Sequence, residues 1–146
     1  MIDNTNDTLS KIVAFSINDK EYGVDVQYVV SIEKIMPITR VPNVPSYIKG
    51  VINLRGIIIP IIDLRTRFQI EEKPYDEHTR IVIIKIKDKQ VGFIVDEAHD
   101  VIQISEGNVE AQPDIIGSEK KEYIDGIIKI EDRLLMLLNI EQIMNV

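Results

Sequence analysis

A chain of 146 residues with 45% apolar and 28% charged side chains is long enough for one globular body, and its net charge of −7 opposes binding to a phosphate backbone, which requires a basic stripe; no nucleic-acid partner is expected. The absence of cysteine removes disulfides, thiolate catalysis and cysteine zinc sites, and suits a reducing cytosol. No apolar run approaches the roughly 18 to 20 residues needed to span a bilayer, and the N-terminus lacks a basic-then-apolar signal pattern, so neither secretion nor membrane insertion is expected.

In chain order, residues 1–10 are polar, have little to bury and are expected to form a flexible tail. From Ile12 the apolar positions follow a strand pattern to Ile17, Asn18-Asp19-Lys20 supplies a turn, and Glu21-Tyr22-Gly23-Val24 returns as the second arm of a hairpin. Asp25 can cap a short helical turn before a strand through Ile32 and Ile35. Pro37, Pro42 and Pro45 rule out regular structure over residues 36–46, because each lacks an amide donor and restricts the residue before it. Gly50 to Leu64 reads as two β-branched strands turning at Leu54-Arg55-Gly56, with Pro60 placing the second at a sheet edge or a bulge. Asp63 caps a short helix towards Phe68, and residues 71–78 form a charged connector. Strands then follow over 80–87, 91–95 and 101–104, and a second polar connection runs from Ser105 to Glu122. The chain closes on a hairpin at Gly126 and a short amphipathic helix, Ile140 to Met144. Short strands with turns every eight to twelve residues or so predict a mainly β protein built of small closed or nearly closed barrels.

The chain also repeats itself. Residues 47–64 align without gaps on 123–140, matching Gly50 to Gly126, and residues 17–24 align on 86–93, matching Gly23 to Gly92. Units of roughly 65 residues are marginal alone and are expected to share a core. We therefore expect a first barrel over residues 11–70 and a second over 79–146, packed as one compact domain, with an aliphatic groove at their junction that suits an amphipathic helix of a partner.

Catalysis finds no constellation. Asp96-Glu97-Ala98-His99 has the spelling of a helicase magnesium motif, but no G-x-x-x-x-G-K-[ST] phosphate loop accompanies it. His78 and His99 lack partners at ligand spacing, and no serine sits on a G-x-S-x-G elbow. No enzymatic activity, metal or cofactor is expected.

From about Lys11 to Met144 the sequence resembles the CheW family of bacterial chemotaxis coupling proteins and the related regulatory domain of the histidine kinase CheA. The resemblance rests on Glu21-Tyr22-Gly23-Val24-Asp25-Val26, the Thr39 to Pro45 loop, Gly50-Val51-Ile52-Asn53-Leu54-Arg55-Gly56 with Ile59-Pro60-Ile61-Ile62-Asp63-Leu64, and Val91 to Val101. It implies two SH3-like five-stranded β-barrels packed together, with short helices including one at the C-terminus. It further implies a non-catalytic cytoplasmic adaptor, without cofactor, holding CheA through its regulatory domain to the helical tips of methyl-accepting chemotaxis receptors, in arrays beneath the inner membrane. An adaptor of another chemosensory array, such as one for surface motility, fits the same residues; a small barrel enzyme fits less well. Carried onto this chain, the receptor-binding residues are Val29, Ile32, Gly50, Arg55, Gly56, Val95 and Val101, and the kinase-binding ones Ile38, Thr39, Arg40, Val41 and Pro42. The family often carries an acid two residues after Val29, where this chain has Ser31, with Glu33 two further on.

Overall fold

Left-handed residues close the tight turns. Asn18 and Asp19 (φ 55° and 67°) join β1 (Ser10–Ile17) to β2 (Lys20–Asp25), the conformation a two-residue hairpin turn demands and one that Asn and Asp tolerate. Arg55 and Gly56 join β4 (Ile48–Leu54) to β5 (Ile57–Asp63) in the same way, and Lys87 and Asp88 join β6 (Arg80–Ile86) to β7 (Lys89–Val95). The Asp25 carboxylate accepts from the Gln27 N–H and starts a 3-10 turn, Val26–Tyr28, that leads into β3 (Val29–Lys34). Asp63 does the same for α1 (Leu64–Arg67) through the Arg65 N–H. The second half adds β8 (Glu97–Ile104), β9 (Val109–Glu110), β10 (Ile124–Ile130), β11 (Arg133–Leu138) and α2 (Ile140–Met144). The computed structural model describes residues 10–110 and 122–144; the expected tail lies outside them except for Ser10, which opens β1.

The strands form two sheets, ordered β8-β1-β2-β11-β10-β9 and β3-β6-β7-β5-β4. The protein is thus mainly β with two packed sheets, as expected, but the ladders are open rather than closed into five-stranded barrels, and one sheet has six strands. The expected division at residues 70–79 does not follow the strand pairing. Each copy of the repeat lends its first hairpin to the other copy's sheet: β7 pairs parallel with β5 (Ile61↔Gly92, Ile62↔Phe93), and β2 with β11 (Met136↔Tyr22, Leu137↔Gly23). Like copies present like edges, so the apolar pattern cannot distinguish pairing within a copy from pairing between copies. The turn at Val26–Tyr28 leads into β3, which pairs with β6, while β8 takes the matching place beside β1.

Pro60 is not at an edge, since β5 lies between β7 and β4, but it stands beside the register shift of β4 between Ile48 and Gly50, the bulge that was the other expectation. Val51 gives both its backbone groups to Thr39, so it faces Pro60 without exchanging hydrogen bonds, and pairing with β7 begins only at Ile61. The missing donor therefore falls where neither neighbour needs it.

The largest apolar cluster fills the space between the sheets. Phe15 and Tyr22 from one sheet and Val82 and Phe93 from the other meet Leu64 of α1, Phe68 just after it, and Ile140 and Ile143 of α2. Phe15, Tyr22, Phe68 and Tyr123 form an aromatic column with successive centroids 6.3, 5.6 and 5.6 Å apart. Each such side chain contributes about 1.5 to 3 kcal/mol by leaving water. Burial pushes the Tyr22 hydroxyl up to about 12, assisted by the Asp96 charge. At the junction of the repeats the Arg67 guanidinium lies between the repeat-equivalent rings of Tyr47 and Tyr123 and donates to the Ile143 carbonyl, joining α1 to α2. Much of the junction between the lobes is thus packed core.

Candidate functional site

Along β3 exposure alternates, as a strand with one covered face must: Val29, Ser31 and Glu33 are half-buried, while Val30, Ile32 and Lys34 face solvent. Ile32 is 41% exposed. Ser31 holds a buried hydroxyl with no hydrogen-bond partner among the described residues, and the nearby acid, Glu33, reaches across to Arg55 at 3.6 Å. This pair ties outer strand β3 to the β4–β5 turn near the opposite margin of the sheet, which shows how far the sheet is rolled. Arg55 has a left-handed backbone (φ 53°) and a side chain 71% exposed. Asn53 accepts from the Gly56 N–H at 2.9 Å and locks the turn, while Gly56 faces open space. Arg55 and Gly56 therefore form one exposed corner, tied through Glu33 to β3, whose Ile32 is exposed on the other face of the strand.

The remaining residues assigned to the receptor set divide. Val101 is 55% exposed on β8, the outer strand of the other sheet, at the position the repeat makes equivalent to Ile32. Val95 is only 1% exposed and belongs to the core between the sheets, so its side chain cannot line a docking surface. Gly50 is buried too. Its φ is 145°, and a Cβ there would stand 2.1 Å from the Thr39 carbonyl oxygen. That close approach lets Thr39 exchange two hydrogen bonds of 2.8 Å with Val51. Gly50 thus supports the other candidate surface, the Ile38–Pro42 loop. Ile38 packs against the Ile52 and Ile59 cluster, Thr39 is pinned to β4, and Arg40, Val41 and Pro42 are left facing solvent. Sequence reading missed Val30, Ile57 and Ile58, all large, apolar and exposed beside or along the same two elements as Ile32 and Arg55. Period two in β3 would have paired Val30 with Ile32.

Three closer ion pairs, made by two arginines, hold the frame. Arg65 grips Asp96 in a fork, Nε to Oδ1 at 2.9 Å and Nη2 to Oδ2 at 2.7 Å, and Asp96 also accepts from the Asn18 N–H. Burial alone would raise the Asp96 pKa; the hydrogen bonds from Arg65 and Asn18 outweigh it and hold the carboxyl below its usual range. This role absorbs the acid of the helicase-like tetrapeptide. Arg133 likewise bonds Glu21 and Asp100 at 2.6 and 2.9 Å, tying β11 to β2 and β8 and lowering the Asp100 pKa. Among the described residues no group of His, Asp and Glu gathers as metal ligands, and no helix is long and apolar enough to cross a membrane. The exposed corner and the pinned loop suit macromolecular contact.

Comparison with known proteins agrees with this geometry. The model of the CheW-like domain matches residues 11–146. The chain is 44% identical to the chemotaxis protein CheW of Bacillus subtilis over 94% of this chain and 88% of that one, and 34% identical to the CheW of Klebsiella aerogenes over 92% and 81%. The crystal structure of the scaffolding protein TtCheW from Thermoanaerobacter tengcongensis is similar at a TM-score of 0.88 and 36% identity, covering 95% of this chain and 94% of that one. With family model, relatives and fold all spanning nearly the same residues, the chain belongs to the CheW-like domain family.

Proposed function

We propose that the chain is a non-catalytic adaptor in chemotaxis signalling that holds the histidine kinase CheA, through its regulatory domain, to the cytoplasmic helical tips of methyl-accepting chemotaxis receptors. The observation that carries this reading is the margin of the second sheet, where Ile32 is exposed on β3 and a forked, solvent-facing Arg55 is tied to the same strand through Glu33. Apolar side chains can enter a receptor helix's groove while the guanidinium pairs with a carboxylate or a carbonyl on it. Val29, Gly56 and Val101 complete the receptor-facing set. Gly50 and Val95 act from beneath, the one shaping the loop and the other the core. Arg40, Val41 and Pro42 face the kinase, carried on Ile38 and Thr39.

Separate surfaces for the two partners let one adaptor engage both at once in the cytoplasm beneath receptor arrays. Contacts this small, near or below about 1,200 Å² in total, correspond to affinities on the order of micromolar. Titration calorimetry against the CheA regulatory domain and, separately, a receptor-tip fragment tests the proposal. Binding to both, with Arg55→Ala losing only the receptor, is expected. Failure to bind either partner would overturn it.

A further inference from the structure

Arg55 and Gly56 take φ values of 53° and 87°, the left-handed pair that a two-residue hairpin turn requires and that Asn-Gly or Asp-Gly fills at least cost. Arginine holds the first of these places here, and an asparagine stands two residues before it. The Asn53 side-chain oxygen accepts from the Gly56 N–H at 2.9 Å. That N–H belongs to the peptide immediately after the Arg55 Cα, so holding it restricts the Arg55 ψ and fixes the base from which the arginine side chain projects.

The other neighbours hold this base loosely. Gly56 has open space around it and tolerates more than one turn geometry. The Glu33 contact, at 3.6 Å, is longer than a hydrogen bond, and the Arg55 side chain is 71% exposed. Asn53 itself has no packing role, being exposed in a strand, where asparagine is a poor former; the Gly56 N–H is its side chain's one hydrogen-bond partner among the described residues.

The second copy of the repeat lacks both members of this arrangement. The alignment puts Lys129 at the place of Asn53 and Glu131 at that of Arg55. Glu131 is left-handed too, at φ 54°, yet Lys129 has no side-chain oxygen and pairs instead with Glu110. Lys87, left-handed in the β6–β7 turn, is also held there without a side-chain acceptor from its own hairpin among the described residues. A left-handed charged residue can therefore complete a hairpin of this fold without the bond, and the bond occurs where the residue is Arg55.

We propose that Asn53 is a positioning residue for receptor recognition, holding Arg55 ordered in the orientation in which its guanidinium meets the docking helix. Less freedom is then lost when the complex forms. The proposal rests on the reading of Arg55 as receptor-facing, and gives Asn53 no contact of its own with either partner.

The test is titration calorimetry of a receptor-tip fragment against the full chain and four variants: Asn53→Ala, Asn53→Ser, Arg55→Ala and the double variant Asn53→Ala, Arg55→Ala. Asn53→Ala should weaken binding about three- to tenfold, the effect of leaving one long side chain to be ordered on binding, with CheA binding unchanged. Asn53→Ser, whose hydroxyl can still accept from the amide three residues on, should recover part of that loss. In the Arg55→Ala background, removing Asn53 should change affinity by less than about twofold, because its effect passes through the arginine. A full further loss in that background would make Asn53 merely structural and overturn the proposal. Binding lost in Arg55→Ala but kept in Asn53→Ala overturns the proposal alone, whereas binding kept in Arg55→Ala overturns the receptor-facing reading with it. Where Arg55→Ala binds too weakly to measure, the serine variant decides: affinity no better than that of Asn53→Ala overturns the proposal.

Discussion

Replacing Asp96 by asparagine keeps its volume and one acceptor but takes from the Arg65 guanidinium its hydrogen-bonded carboxylate, leaving only the charges of Asp63 and Asp19, in a setting where the two side chains are only 11% and 17% exposed. Breaking a fully buried pair costs about 3 to 5 kcal/mol, and a hydrogen bond to a charged group about 1.5 to 3. With part of the site still open to water and the amide still accepting, the loss should be about 2 to 3 kcal/mol. For a chain of this size that lowers Tm by about 5 to 10 °C, readable by calorimetry at neutral pH. The pH dependence has a defined sign. Because the Asp96 pKa is depressed in the fold, the stability it supplies is present above the unfolded-chain value of about 3.9 and is lost as pH falls through the folded value. The gap between wild type and variant should thus stay level near neutrality and close below about pH 4. A variant melting within about 2 °C of wild type at pH 7 would show that Asp96 does not join the β1–β2 turn to α1 in the way its hydrogen bonds imply.

Arg55→Ala should abolish receptor-dependent kinase control in a reconstituted phosphorylation assay while barely moving Tm, since an exposed pair at 3.6 Å contributes about 0 to 1 kcal/mol. Arg55→Gly should lose the same control with Tm level or raised, because it relieves a left-handed backbone; retained control in both variants would remove Arg55 from the interface. Val41→Glu should weaken calorimetric binding of the CheA regulatory domain and leave the melting curve unchanged, as a rim loop would have to desolvate a new charge; an unaltered affinity would relocate the kinase surface. Gly50→Ala places a methyl group against the Thr39 carbonyl oxygen at a φ of 145°, and should cost about 2 kcal/mol or more and displace the Ile38–Pro42 loop, seen as lost Thr39 amide protection in hydrogen exchange.

Local chemistry was legible in the sequence wherever one residue type decides a backbone conformation. Asn18-Asp19 and Gly56 marked their turns, Asp25 and Asp63 their caps, and Ile140 to Met144 a helix with one buried side. Partner choice between like strands was not legible, since the repeat that revealed two units also made their edges interchangeable. Val95 entered the receptor set through the family resemblance. The run Val91-Gly92-Phe93-Ile94-Val95, however, is buried throughout, as a strand covered on both faces must be, and that uninterrupted apolar stretch was a signal against exposure. Gly50 looked like part of a docking surface since it neighbours Arg55 in sequence, and only the approach of Thr39 shows that it holds a loop. The short strand β9 sits in what read as a polar connection, at the place where the first copy has only the Thr39–Val51 bridge; the rest of that connection, residues 111–121, lies outside the described residues.

The exchange of hairpins has a consequence for how the protein is made. When residues 1–70 have left the ribosome, β1 and β2 still await β8 and β11, and β3 and β5 await β6 and β7, so neither sheet can be completed from what has been synthesised. Contacts between strands far apart in sequence dominate, which slows folding and leaves apolar edges uncovered until synthesis is nearly finished. The smallest unit that completes a sheet is accordingly the paired repeat, and a nascent first half keeps its strand edges unpaired until the second half arrives.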